Sequence, residues 1–122
     1  MTNMVEDKQR EICIRFGSEF YKCDSNLKVG ISRNIKEGVK PIHGLRIIPE
    51  GDTNGWYIWA GDWSDADDFF VPLHAIHLSE WVPQVLPYLG LSPGWRFLIA
   101  ENYEDVWKDN ELLDDRTADQ PE

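Results

Sequence analysis

The chain has 122 residues, of which 42% are hydrophobic and 28% charged, and a formal net charge of −10. This length favours one domain that buries about two thirds of its unfolded surface and needs no disulfide or metal to hold it together. Residues 8–46 carry a net charge of +5 and residues 50–122 a net charge of −13. A surface this acidic repels nucleic acid and attracts basic proteins. The alternative explanation is that the charge only keeps the protein soluble.

The start of the chain lacks the basic and apolar regions of a signal peptide. No run approaches the roughly 18 apolar residues of a membrane span. The two cysteines, Cys13 and Cys23, are therefore expected to stay reduced. We expect a cytoplasmic protein with no membrane segment.

The first half of the chain predicts one helix and three strands. Apolar residues at four-residue spacing predict a helix over 6–20, although Gly17 weakens it and Ile12, Ile14 and Phe16 also alternate as in a strand. Alternation predicts a strand over 27–33. Further strands are predicted at 45–48 and 56–60, separated by a turn. Large side chains on both faces of 56–60 indicate a central strand.

The second half predicts an acidic loop over 61–68 and an irregular segment over 69–78, broken by Pro72. A short or kinked helix is expected over 79–89, opened by Ser79. Segment 95–100 predicts a strand, followed by an extended segment over 103–107. Together these elements predict an α+β fold with a mostly antiparallel sheet, in a single domain over 1–108. Residues 109–122 are expected to form an acidic, partly disordered tail.

The densest polar cluster contains four aspartates, with two histidines following. Carboxylates and imidazoles together are the raw material of a divalent metal site. The spacing, however, lacks the alternating acids, the central glycine and the terminal glutamate of a calcium loop. An exposed acidic loop with no metal is the preferred interpretation, and a metal-dependent enzyme remains an alternative. Its residues would be Asp62, Asp65, Asp67, Asp68, His74 and His77.

No complete catalytic set is visible in the sequence. It contains no Gly-x-Ser-x-Gly nucleophile elbow and no glycine-rich phosphate loop. Cys13 has the pattern of a small buried hydrophobe rather than of an activated thiolate. The basic residues lie in the first third of the chain, whereas every tryptophan lies among acids between 56 and 107, which argues against nucleic-acid binding. We expect neither enzymatic activity nor a cofactor.

Aromatic residues crowd around the acidic loop. Trp56, Trp59 and Trp63 lie within eight residues, next to two phenylalanines. Most of them are expected to pack in the core. Trp63 differs because acids flank it, as in a protein-binding hot spot with a charged rim. The alternative is a small-ligand cleft between Trp56 or Trp59 and Trp95.

Six stretches of the chain form long strings rich in tryptophan. In chain order they are 28–32 (KVGIS), 55–61 (GWYIWAG), 68–78 (DFFVPLHAIHL), 88–91 (YLGL), 93–99 (PGWRFLI) and 103–107 (YEDVW). In this order they resemble a family of small bacterial proteins classed as immunity proteins of polymorphic toxin systems, and the resemblance covers about residues 27–108.

This resemblance implies a cytoplasmic protein that binds and neutralises a cognate protein toxin. It carries over no cofactor and no catalytic residue. Many toxins that cut nucleic acid are basic because they grip phosphates, so an acidic inhibitor could occupy that surface as a nucleic-acid mimic. The oligomeric state does not follow from the sequence. The contact patch is predicted to consist of Asp62, Trp63, Asp65, Asp67 and Asp68.

Overall fold

A computed structural model describes residues 4–113. It contains two α-helices, six strands and four short 3₁₀ segments. The helices and strands are, in chain order, α1 (Met4–Phe16), β1 (Lys28–Ser32), β2 (Ile42–Arg46), β3 (Thr53–Ala60), β4 (Phe70–His74), α2 (Leu78–Trp81), β5 (Trp95–Ala100) and β6 (Tyr103–Lys108). The 3₁₀ segments are Arg33–Glu37, Ala75–His77, Pro83–Tyr88 and Asn110–Leu113.

All six strands form one sheet in the order β4-β1-β3-β2-β5-β6. β1 and β3 run parallel, and every other neighbouring pair is antiparallel. The predicted α+β class with a mostly antiparallel sheet is therefore confirmed. β3 lies in the interior of the sheet, as its large side chains on both faces predicted.

The N-terminal helix was predicted correctly in kind but not in length. It ends at Phe16 because Gly17 takes a φ of +90°, a conformation that glycine adopts without strain. The amides of Gly17 and Ser18 both donate to the carbonyl of Cys13 and close the last turn. Phe20 instead forms a single β-bridge with Leu91.

The irregular segment expected over 69–78 is wrong in its first half, because Phe70–His74 forms β4. Pro72 is tolerated there since β4 is an edge strand, where a missing amide donor costs no ladder hydrogen bond. The second strand lies at Ile42–Arg46 rather than at 45–48. The expected kinked helix is the short α2 followed by Pro83–Tyr88, and α2 begins at Leu78 rather than being capped by Ser79.

The sheet has two unlike faces. The face that we call the core face packs against α1, α2 and the 3₁₀ segment Pro83–Tyr88. Its residues alternate along each strand and are nearly all inaccessible to solvent, with Ile31 and Ile58 at 0% exposure. Strand β5 follows the predicted pattern, because Trp95, Phe97 and Ile99 all point into this core.

The other face, which we call the open face, is formed by the alternate residues of the same strands. The strand register places Tyr57, Leu45 and Arg96 side by side on it, and Trp59, His43 and Leu98 in the next row. Most of these side chains are half-buried rather than enclosed. The two faces therefore differ in how completely they are covered, and the open face carries the features described below.

A buried arginine ties the sheet to the helical layer. Arg46 is 0% exposed, and its guanidinium donates hydrogen bonds to five backbone carbonyls. Burial lowers the pKa of Arg46 to about 10. Next to it, the Nε1–H of Trp56 donates to the carbonyl of Leu89 at 3.1 Å. These bonds fix the segments around 21–22 and 89–91 against β2 and β3.

Of the predicted acidic tail, residues 109–113 are described and include the 3₁₀ segment Asn110–Leu113. The remainder, 114–122, lies outside the described residues. Within residues 4–113, no helix has the length and apolar character needed to cross a membrane.

A candidate partner-binding surface

The acidic loop over 61–69 connects β3 to β4 and is anchored firmly where it leaves β3. The amide of Gly61 donates to the carbonyl of Pro41 at 2.8 Å. The Nδ2 of Asn34 donates to the carbonyl of Ala60, and the amide of Ala60 donates to the hydroxyl of Ser32. Gly61 has a φ of +76°, which glycine adopts without strain. The start of the loop is therefore held in one position.

The middle of the loop is held by turns and by one cation. The hydroxyl of Ser64 accepts the amide of Ala66 at 3.1 Å, and the amide of Phe69 donates to the carbonyl of Ala66. The Nε of Arg33 donates to the backbone carbonyl of Asp68 at 3.2 Å. None of these contacts uses an aspartate side chain of the loop, and all four aspartates are exposed, so they remain available for a partner.

Trp63 is the exposed aromatic of the loop, with 55% of its surface accessible to solvent. Its ring packs edge-on against Trp59, with the ring centroids 5.1 Å apart, and also contacts Phe69 and Phe70. One side of the indole is therefore fixed against the protein while the rest faces solvent. A large aromatic side chain held in this way loses little conformational freedom on binding.

Trp63 is the outer member of a connected aromatic cluster on the open face. His43 stacks on Trp59 with ring centroids 4.8 Å apart, and Tyr57 meets Phe70 edge-on at 5.2 Å. We call this group the aromatic cluster; its members are His43, Tyr57, Trp59, Trp63, Phe69 and Phe70. The sequence singled out Trp63 but not His43 or Tyr57, because those contacts depend on the strand register.

Two polar groups of the aromatic cluster, the imidazole of His43 and the indole N–H of Trp59, are partly or fully removed from water. Burial is the main reason that the pKa of His43 lies below its usual value, and nearby Arg96 adds to the effect, so the imidazole is neutral at pH 7. The Nε1–H of Trp59 is buried and has no acceptor among the described residues. Such an unpaired donor costs about 1–3 kcal/mol, which marks the cluster as a place where stability was not maximised.

The carboxylates of the four loop aspartates form no ion pair within residues 4–113. Among the described residues, none of the ion pairs involves Asp62, Asp65, Asp67 or Asp68. All four are exposed. Their charges therefore project into solvent around Trp63 without internal compensation, as an attractive field for a basic partner requires.

The cations of the open face, in contrast, are already paired. Lys28 lies 3.0 Å from Asp52, and this hydrogen bond lowers the pKa of the Asp52 carboxyl. Arg96 lies 3.1 Å from Asp109. Asp105, which is exposed opposite Leu98, appears in none of the ion pairs of residues 4–113. The unbalanced charge on this side of the molecule is therefore negative.

The structure does not bring the histidines of the metal alternative to the acidic loop. His74 lies at the far end of β4, opposite Lys28 and about 13 Å along the strand from Phe70, where the loop ends. His77 lies beyond it, 3.9 Å from Glu80. Within residues 4–113, no group of three or more His, Cys, Asp or Glu side chains is arranged to hold a metal ion.

The tryptophans of the small-ligand alternative do not face one another across a cleft. Trp56 and Trp95 are 1% and 8% exposed and belong to the core face, whereas Trp59 is 4% exposed and lies on the open face. The sheet therefore separates Trp59 from the other two, which corrects the expected arrangement. Neither cysteine is poised as a nucleophile, because burial raises the pKa of both thiols, that of Cys23 to about 11.

Comparison with known proteins gives one match. A family model described as an Imm33-like domain matches residues 8–109, which is most of the chain and includes the acidic loop, the aromatic cluster and all six strands. No curated protein matches the chain. No solved structure matches it either.

Proposed function

Since this chain belongs to the Imm33-like domain family, which is a family of immunity proteins, we propose that it binds and neutralises a cognate bacterial toxin. It acts in the cytoplasm as a binding protein, not as an enzyme. The contact patch consists of the exposed indole and the four carboxylates of the acidic loop. These are Asp62, Trp63, Asp65, Asp67 and Asp68.

The observation that carries this proposal is the uncompensated charge around an exposed, immobilised aromatic ring. Protein interfaces place an aromatic anchor at the centre and charged residues at the rim. Trp63 supplies the anchor, and the aspartates supply the rim. Because the rim is acidic and its carboxylates form no ion pair with the described part of the chain, the complementary surface on the toxin is basic.

A basic surface on a toxin has a straightforward chemical use. An enzyme that cuts nucleic acid needs Lys and Arg side chains to hold phosphates. The closely spaced carboxylates of the loop present a comparable series of negative charges. We propose that the loop occupies the phosphate-binding surface of such a toxin and thereby blocks its substrate.

The first experiment is affinity capture of the tagged protein from the bacterium that produces it, at low and at high salt, with mass spectrometry of the co-eluting proteins. We expect one basic protein, bound more weakly at high salt because exposed charges are screened over about 8 Å at physiological ionic strength. An empty capture under conditions in which a toxin is produced would contradict the proposed function.

The second experiment locates the site with the captured toxin, purified. Changing Asp62, Asp65, Asp67 and Asp68 together to Asn removes four negative charges, and we expect the association rate to fall about tenfold or more at low salt. The matched control removes four exposed acids elsewhere by changing Asp7, Glu11, Glu19 and Glu37 to Asn or Gln. Equal rates for the two variants would show that net charge acts without a local patch, and would rule the loop out as the contact site.

A further inference from the structure

The acidic loop alone is too small to hold a toxin. A stable protein complex buries about 800 Å² on each partner and engages about 20–30 residues a side. The loop over 61–69 supplies only a third to a half of that number. The toxin must therefore also contact a surface adjoining the loop, and the structure indicates which one.

We propose that the interface continues from the acidic loop across the open face of the sheet, and that a pocket beside the Tyr57 ring receives an apolar side chain of the toxin. This inference rests on the proposed function and specifies its partner. The occupant is a toxin surface with one protruding apolar side chain framed by Lys or Arg residues.

The aromatic cluster makes the loop and the open face one continuous surface. Trp63 contacts Phe70, and Phe70 contacts Tyr57, with ring centroids 5.5 Å and 5.2 Å apart. Six strands about 4.8 Å apart span about 24 Å, and five residues extend about 17 Å along a strand, so the face offers about 400 Å² of flat area. This area and the loop together approach the size of a standard interface.

The pocket lies beside the Tyr57 ring on the open face. It has a volume of about 310 Å³ and lies between β1, β3 and β4. A Cβ at Gly30 would come within 2.7 Å of the Tyr57 ring, so glycine at this position is what allows that ring to pack flat over β1 and form one wall of the pocket. Tyr57, Phe70 and Pro72 form apolar walls, and the paired Lys28 and Asp52 line its margin. A concave apolar site with a polar margin is where interface hot spots insert.

The charges of the open face select a basic partner. Lys28 and Arg96 are paired with Asp52 and Asp109, whereas Asp105 and the loop aspartates have no cation within the described part of the chain. The apolar centre is thus bordered by negative charge. This complementarity favours a basic toxin over a second copy of the same acidic chain, because two such copies would repel each other.

The test places a cation at the rim of the pocket and compares it with the same change elsewhere. Pro72 is exposed on the open face at an edge strand, and Ile76 is 58% exposed outside that face. With the toxin captured by the wild-type protein, we expect Pro72→Lys to raise the Kd at least tenfold and Ile76→Lys to change it less than threefold. Both variants change the net charge by the same amount, so a difference between their Kd values shows that the position of the new charge matters.

A second measurement detects contact with the toxin directly rather than through a change in affinity. A photo-crosslinking phenylalanine analogue at position 98 lies on the open face, and one at position 14 lies on α1, where Ile14 is 82% exposed. We expect position 98 to crosslink to the bound toxin and position 14 not to.

Three outcomes would overturn the inference. If Pro72→Lys and Ile76→Lys bind alike and position 98 gives no crosslink, while the four-Asn loop variant remains impaired, the open face is not part of the interface and the proposed function stands. If the wild-type protein is a dimer and Pro72→Lys is a monomer, the face serves self-association instead. If no toxin is captured at all, the proposed function fails first.

Discussion

Both faces of the sheet carry tryptophan and arginine side chains, but the core face pairs and covers their polar groups more completely than the open face does. On the core face, the polar groups of Arg46 and Trp56 all find backbone carbonyl acceptors, in β3 and in the segments around 21–22 and 89–91. On the open face, the indole of Trp59 has a buried donor with no acceptor among the described residues, and Trp63 is more than half exposed. A face that keeps aromatic rings half-covered and a donor unpaired is poorly optimised for stability, as surfaces that bind a partner often are.

The largest loss of stability is expected on the core face, from a substitution of Arg46. Changing Arg46 to Met keeps an aliphatic stem but removes a donor from five backbone carbonyls. The carbonyl of Leu89 still accepts from the Trp56 indole, and the bonds to Tyr21 and Lys22 are only part-buried. Since each unpaired buried group costs about 1–3 kcal/mol and part of this cost is relieved by water, we expect a loss of at least about 3 kcal/mol in the free energy of unfolding. Urea denaturation followed by tryptophan fluorescence measures it.

The matched control is Arg10→Met on α1, where the guanidinium is exposed and pairs with Glu6. An exposed pair of this kind contributes about 0.3–0.5 kcal/mol. If the two substitutions cost the same, the buried arginine does not tie the two layers together, and the contrast between the faces loses its energetic basis.

A pair of tryptophan substitutions compares the faces directly. Trp56 is 1% exposed in the core and Trp63 is 55% exposed on the loop. We expect Trp56→Ala to cost about 3–5 kcal/mol, because it leaves a large cavity and removes a buried hydrogen bond. Trp63→Ala should cost about 1 kcal/mol or less and weaken toxin binding instead. Similar stability losses for both would mean that Trp63 is a core residue and not an anchor for a partner.

Much of the fold could be predicted because the hydrophobic pattern of each segment agrees with the burial of its residues in the structure. Strand β5 alternates strictly, and its inward residues are those that the structure buries. The interior position of β3 followed from large side chains on both of its faces. The acids around Trp63 singled it out among the tryptophans, and the structure leaves 55% of its surface exposed. In each case the signal lies within about eight residues, so one sequence is enough to read it.

The remaining features depend on contacts between distant segments. β4 was missed because Pro72 disfavours a strand everywhere except at an edge, and edge position is a property of the whole sheet. The burial of Arg46 depends on carbonyls from three other parts of the chain, around 21–22, at Asn54 and around 89–91. The aromatic cluster depends on the pairing of β2 with β3, which stacks His43 on Trp59. No local pattern encodes these partners.

The smallest expected effect is on the pH dependence of stability and involves His43 on the open face. The pKa of His43 lies below its usual value mainly because the side chain is partly buried. In the unfolded chain the imidazole gains its proton near pH 6.5, whereas in the folded protein it does so at lower pH. Below pH 6.5 the unfolded state therefore binds more protons, and stability falls as the pH falls toward the folded-state pKa. We expect wild-type protein to lose more stability between pH 7.5 and pH 5 than His43→Gln, measured by urea denaturation at both pH values. Equal losses would show that His43 is as well solvated as in water, and that the aromatic cluster does not cover it.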